Sequence, residues 1–377
     1  MEKVDHWQSL WGQTYADKPT EGDPTLVLSG WNSSYTGKPI RPDEMKDWVE
    51  RTVERILAPS PRRVLELGCG MGLLLFRVAP KVGAYWGVDF SAEALAHVGE
   101  HAARLGLANV ELLQQGADDF TRLRQAEPFD TLVINSVLQY FPDMDYLLRV
   151  LESAQEILVP GGRIFLGDIR SLPLLSAFHA SVQMLQADGT TPLAELRERV
   201  EKLTREEREL ALAPSFFAEL ADLRRRFPRI TRVEIQLKRG RYRNELTRFR
   251  YDAVLWLDGS GAVPDPESWL DWRGEGLTLP DLKRRLAQEG PALLGVRGIP
   301  NARILPETRA VELIQAGASE AGPLHTVDDL LAAMRGVRGG IEPEDLWALS
   351  KTLPYDIEVG WGEDHPDGAF QAVFRRR

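Results

Sequence analysis

The sequence has a single cysteine, Cys69, among 377 residues. One thiol closes no internal disulfide and builds no cysteine-cluster zinc site. A reducing, cytoplasmic setting is therefore expected. No run of about 18 apolar residues occurs, so no segment has the make-up of a membrane-spanning helix. The opening stretch MEKVDHWQSLWGQTY lacks the apolar centre of a secretory signal. Positive charge is not in excess either. The formal net charge of -10 argues against nucleic acid or an anionic membrane as a partner. There is no repeat of fixed period and no low-complexity tract. What remains, 43% hydrophobic and 27% charged, suits a globular protein of two or three domains.

Residues 1–43 are rich in Gly, Pro, Ser and Thr and carry Trp7, Trp11, Trp31 and Tyr35. They read as an irregular arm. The segment EMKDWVERTVERIL then sets Met45, Trp48, Val49, Val53, Ile56 and Leu57 on one helical face, started by Pro42 and Asp43. From there strands and helices alternate. RRVLELG, AYWGVDF, NVELLQQG, FDTLVINSV and GGRIFLGDI are apolar strands, and amphipathic helices separate most of them. That order means a mostly parallel sheet covered on both faces. The alternation breaks at 172–227, a charged helical insertion on the side where such sheets bind ligands. TRVEIQLKRGRY and TRFRYDAVLWLD, joined by RNEL, read as an antiparallel hairpin closing a seven-stranded sheet. GSGAVPDPES, 259–268, reads as a linker, and 269–377 as a small α+β appendage. The expected domains are thus 1–43 as arm or lid, 44–258 as core with 172–227 as helical lid, and 269–377 as appendage.

The chemistry starts at VLELGCGMG. Gly68, Gly70 and Gly72 have GxGxG spacing, not the GxGxxG of dinucleotide sites. Glycine lets backbone approach a ligand and take positive φ. Asp89 ends the second strand, where a carboxylate can accept from ribose hydroxyls. Asp118 or Asp119, after the third strand, could meet an adenine amino group. Glu66 stands just before the turn. This set suits adenosine without a pyrophosphate, and its carboxylates suit a cationic sulfonium. Cys69 reads as a small packing residue.

Further motifs carry a resemblance. VINSVLQYFP (133–142), GDIRS (167–171), NELTRFRYD (244–252) and GWNSSYTG (30–37), with the EMKDW helix and the FPRITRVEIQLKR strand, resemble the methyltransferase domains embedded in nonribosomal peptide and polyketide synthases. The resemblance covers roughly 25–257 motif by motif. It implies a class I, Rossmann-like fold and S-adenosyl-L-methionine as cofactor. It implies Glu66, Gly68, Gly70, Asp89, Phe90, Ala117, Asp118 and Asn135 around that cofactor, with Tyr35 coming over it from the arm. It also implies an acyl carrier protein with a phosphopantetheine-tethered substrate and neighbouring synthase domains as partners, and a monomer when isolated.

The acceptor atom is a separate question. A deprotonated amine has a free lone pair; an aliphatic alcohol must lose its proton during attack, so a base helps. His179, in LLSAFHASVQ just past the fifth strand, is an odd imidazole on an otherwise apolar helix. It points to O-methylation, with His179 as base and Glu245 as its orienting carboxylate, or the Glu206/Glu207 pair in second place. Asn244 would hold the substrate oxygen. The expected reaction is O-methylation of a β-hydroxyl on a carrier-bound polyketide intermediate. N-methylation of an aminoacyl carrier is the alternative, carbon methylation comes third, and a non-catalytic domain fourth. His97 and His101 lie one helical turn apart but have no third ligand, and read as solvated surface. Arg224, Arg225, Arg226, Lys238, Arg239, Arg241 and Arg243 form a basic cluster that reads either as a carrier-docking face or as a charged strand edge.

Overall fold

A computed structural model describes residues 7, 10–15, 22–222, 225–259, 266–317, 324–361 and 365–377. The described chain falls into two compact units, 1–169 with 217–234 and 252–262, and 170–216 with 235–251 and 263–377.

In the first unit, helix α1 (Pro42–Leu57) starts with proline in its first turn and buries Met45, Trp48, Val49, Val53 and Ile56, the face its periodicity demands. Strand β1 (Arg63–Leu67) runs into the glycine turn and the short helix α2 (Leu75–Val78). Strand β2 (Ala84–Asp89) leads to α3 (Ala92–Arg104), whose N-cap Ser91 accepts from the Ala94 amide. Strands β3 (Val110–Gln114) and β4 (Phe129–Asn135) follow. Helix α4 (Met144–Ile157), capped by Asp143, leads directly into the long strand β5 (Leu158–Ser171). The sheet order is β3-β2-β1-β4-β5, with β1 parallel to both β2 and β4, β2 parallel to β3, and β4 parallel to β5. Val64, Leu65, Leu67, Leu132, Val133 and Ile134 are fully buried, as strands covered on both faces must be. Strand order reverses between β1 and β4, so the crevice at their carboxyl ends is where such a sheet takes its ligand.

The second unit holds helices α5 (Leu175–Gln186) and α6 (Leu193–Arg205) and the two-residue strand β6 (Ala211–Leu212) paired with the end of β5; helix α7 begins in it at Pro214 and runs to Asp222, its residues from Phe217 on belonging to the first unit. Strand β7 (Ile230–Leu237), which belongs to the first unit up to Glu234, helix α8 (Glu245–Phe249) of the second unit, and strand β8 (Arg250–Leu257), which belongs to the first unit from Asp252 on, follow, and β8 and β7 complete the large sheet beyond β5. RNEL is therefore not a hairpin turn. Asn244 accepts from the amides of Leu246 and Thr247 and starts a helix between the two strands.

The remaining elements are β9 (Trp269–Asp271), α9 (Leu279–Gln288), β10 (Leu293–Ile299), α10 (Leu305–Gly317), α11 (Val327–Met334), α12 (Pro343–Trp347), β11 (Tyr355–Gly360) and β12 (Phe370–Arg376). Their sheet has the order β11-β12-β10-β9. The sequence assigns 172–227 to a lid and 269–377 to an appendage, but the fold merges much of the two. Ala180, Leu193, Leu196 and Val200 form one buried cluster with Ile314, Val327 and Leu330. Of the expected linker, residues 260–265 lie outside the described residues, as do 1–6, 8–9 and 16–21 of the arm.

Candidate active site

The turn after β1 places Gly68, Gly70 and Gly72 at φ 77°, 49° and 82°, which glycine alone takes without strain. A Cβ on Gly68 would strike Val137, so the turn also lies hard against the segment after β4. Asp89 braces it: one carboxylate oxygen accepts from the Gly70 amide at 2.8 Å, the other from the Ser91 amide at 2.9 Å. Each oxygen keeps a lone pair for a ligand hydroxyl. Burial raises the Asp89 pKa, and the amides of Ser91 and Gly70 oppose that rise. Glu66 is also buried and accepts from the Tyr85 hydroxyl at 2.7 Å. Burial pushes its pKa to about 8 against the Tyr85 bond, with Asp89 adding to the rise. A cation beside this acidic pair would relieve both groups. Burial also drives the Cys69 thiol pKa upward, which fits a packing residue.

The other expected cofactor residues are placed as follows. Asn135 closes β4 and is buried; its Nδ2 donates to Ser136 Oγ at 3.2 Å. Asp118 accepts from the Tyr146 hydroxyl at 2.9 Å, whereas Asp119 serves its own turn by accepting from the Thr121 amide. Phe90 is half-buried and its carbonyl accepts from Gln114; Ala117 lies in the loop after β3. Tyr35 sits in a turn within the arm, its amide donating to Ser33 Oγ. The arm residue at the glycine turn is instead Tyr15. Its hydroxyl lies 2.9 Å from where a Gly70 Cβ would stand. Burial and the neighbouring Asp89 raise its pKa well above the ordinary value. Trp11 stacks on Tyr15 at 5.3 Å, a spacing of four residues that the helical turn at 10–15 brings together.

His97 is a second correction. It is buried, and its Nε2–H donates to the Pro24 carbonyl at 2.8 Å, tying the arm to α3. Among the described residues no cluster could hold a metal ion.

A buried polar chain missed at the sequence level stands at the ends of β4 and β5. Asp168, fully buried, accepts from Trp48 Nε1 at 3.2 Å and from the Ser136 hydroxyl at 2.8 Å, and its amide donates to Asp252 at 2.9 Å. Arg55 pairs with Asp252. The signal in the sequence was GDIRS, where an aspartate interrupts an otherwise apolar strand.

In the second unit, His179 Nε2 lies 3.2 Å from Glu207 Oε2, an ion-pair distance without the alignment of a good hydrogen bond. Arg170 also reaches Glu207, at 2.8 Å, and stacks over Phe178. Burial would raise the Glu207 pKa, but His179 and Arg170 outweigh it and hold the carboxyl at about 2. The carboxylate at His179 is therefore Glu207, ranked second in the sequence. Glu245, ranked first, is buried in the opening turn of α8, and Asn244 is that helix's N-cap. The basic cluster is largely used within the protein. Arg239, Arg241 and Arg243 pair with Glu344, Asp345 and Glu342, Arg226 pairs with Glu152, and Lys238 is buried. Arg224 lies outside the described residues.

A family described as a methyltransferase domain matches residues 60–211. The chondramide synthase cmdD of Chondromyces crocatus is 46% identical over 377 residues, covering 99% of this chain and 9% of the synthase. The nonribosomal peptide synthetase asqK of Emericella nidulans is 33% identical over 396 residues, covering 100% of this chain and 15% of the synthetase. The chain thus spans only 9% and 15% of the length of these relatives. Among solved structures, the N-methyltransferase NodS of Bradyrhizobium japonicum WM9 is 18% identical, with a TM-score of 0.40 over 58% of this chain and 98% of its own; this likeness adds no argument. With the glycine turn, the acidic strand ends and the β3-β2-β1-β4-β5 order, the chain carries an S-adenosylmethionine-dependent methyltransferase domain of class I fold, and over essentially its whole length it is similar to segments of nonribosomal peptide synthetases.

Proposed function

We propose that the chain is an N-methyltransferase domain acting on an aminoacyl group held by a carrier domain of a peptide synthetase. The observation that carries this reading is the 46% and 33% identity, over essentially the whole chain, to segments of such synthetases. Peptide assembly presents amines, and a neutral amine attacks without a strong base. S-adenosylmethionine supplies an activated methyl group on its sulfonium. Held at the Gly68–Gly72 turn and Asp89, the cofactor would supply this methyl to a nitrogen that gives up one proton to solvent, the pair of the methyl–sulfur bond remaining on sulfur. The residues of this chain bind and orient. The turn at Gly68–Gly72 offers open backbone, Asp89 holds the turn and accepts hydroxyls, and most of the gain comes from alignment of the reacting atoms.

O-methylation of a carrier-bound hydroxyl is the second reading, and the His179–Glu207 pair favours it, because a hydroxyl needs a base. Incubation with S-adenosylmethionine and a carrier bearing either an aminoacyl or a β-hydroxyacyl chain, read by intact mass, separates the two. A mass gain of one CH₂ on the aminoacyl carrier alone is expected. His179→Ala should then cost little in rate. A gain on the hydroxyacyl carrier alone, with a loss of about 10²-fold or more in His179→Ala, would sink the nitrogen reading.

A further inference from the structure

We propose that Ser136 and Asp168 are positioning residues that lock the carboxamides of Asn135 and Gln139 into a paired acceptor site for the N–H groups of an amine. This rests on the methyltransferase reading and names residues for its polar end. Asn135 closes β4, and Gln139 lies in the single turn Leu138–Tyr140 beyond it. Both flank the crevice between β1 and β4, since Val137 between them lies against Gly68. Their exposures are 7% and 3%. Yet Asn135 Oδ1 and Gln139 Oε1 have no hydrogen-bond donor among the described residues. A buried acceptor without a donor destabilises the fold, so two on one segment call for a ligand that donates.

The amides cannot turn over to escape this cost. The Asp168 carboxylate receives Trp48 Nε1–H on one oxygen and the Ser136 hydroxyl on the other. With its proton committed, Ser136 Oγ can only accept from Asn135, so Nδ2 faces Ser136 and Oδ1 faces away. Gln139 Nε2 donates to the Ser136 backbone carbonyl at 3.0 Å, and a carbonyl accepts nothing but a donor. Its Oε1 is fixed in the same way. A Cβ at Gly167 would occupy the place of Asn135 Oδ1, so glycine in the neighbouring strand leaves room for that orientation. Ser136 and Asp168 hold left-handed backbone, φ 56° and 63°, a strained conformation for residues with a side chain. Two buried carbonyl oxygens left without a donor on one short segment match a primary amine or an ammonium group. A hydroxyl has one proton to offer, and a carboxylate has none.

Such an amine belongs either to the amino acid end of the cofactor or to the acceptor. Titration calorimetry of the parent and of Gln139→Met and Ser136→Ala, with S-adenosylhomocysteine and with methylthioadenosine, which lacks the amino acid end, distinguishes them. Affinity for S-adenosylhomocysteine reduced about tenfold, with methylthioadenosine unchanged, assigns the cofactor's amino group. Unchanged S-adenosylhomocysteine affinity with an about tenfold higher KM for an aminoacyl carrier assigns the acceptor's amine. Either result upholds the paired site. Equal loss of both probes, or no change in any of the three readings, overturns it. Asn135→Asp, which keeps an acceptor oxygen, should outperform Asn135→Leu in S-adenosylhomocysteine affinity in the first case and in KM for the aminoacyl carrier in the second, and equality of the two variants in both readings counts against the proposal. A parent that binds neither probe would defeat the methyltransferase reading and this inference with it, a failure distinct from an unaltered variant.

Discussion

Glu66 is a carboxyl group that the fold keeps protonated at neutral pH. Its pKa is about 8, against an ordinary 4.5, because burial penalises the charged form. Between those values the folded chain holds a proton that the unfolded chain has released. The stability linked to Glu66 is therefore complete below about pH 4.5 and is lost as pH rises through 8. The slope is at most about 1.4 kcal/mol per pH unit. Glu66→Gln should flatten the fall of the thermal midpoint between pH 5 and 8 in the ligand-free chain. An unchanged slope would show that Glu66 is ionised in the fold. At this scale the sequence was readable where chemistry repeats a pattern, as in the glycines and the strand-end aspartates. It was not readable where two similar residues compete for one place. Tyr15 and Tyr35 both sit in the aromatic arm, and only packing of the 10–15 turn puts Tyr15 beside Gly70. Glu207 and Glu245 were rivals for His179, and the return of the chain after α6 decides for Glu207.

Strands β1, β2, β4 and β5 and helices α1 and α4 follow from periodicity, because each buries the face its apolar spacing sets out, whereas β3 buries only Leu113 and α3 buries His97 beside its apolar residues. RNEL failed as a hairpin for a local reason. Asn followed by Glu is as good a helix start as a turn, and the side chain of Asn244 accepts from two amides of the helix it opens. Asn244→Ala should cost about 1 kcal/mol, read as a lower urea midpoint with an unchanged slope. Asn244→Asp should retain most of that stability. An aspartate variant as stable as the parent but inactive would restore Asn244 to the substrate, as its sequence position suggested. The short strands β6 and β9 escaped notice because two or three residues carry no period.

Across the whole molecule, linear order misled most. The insertion after β5 and the C-terminal third are separated by two strands in sequence, and composition gives no sign that they share a core. Each has helices with one apolar stripe, and a stripe says only that a partner exists. The fold closes Leu193, Leu196 and Val200 against Ile314, Val327 and Leu330, and the Leu193 amide donates to the His325 carbonyl. Leu330 is fully buried there, and its replacement by alanine leaves a cavity worth about 2–5 kcal/mol. If insertion and C-terminal third form one cooperative unit, that loss should reach both. Amide exchange in Leu330→Ala should speed up in α5 and α6 as much as in α10 and α11, although α6 ends at Arg205 and α10 begins at Leu305. Faster exchange confined to α10 and α11 would mean that the shared cluster does not couple the segments. The lid and appendage of the sequence reading would then stand as separate folding units after all.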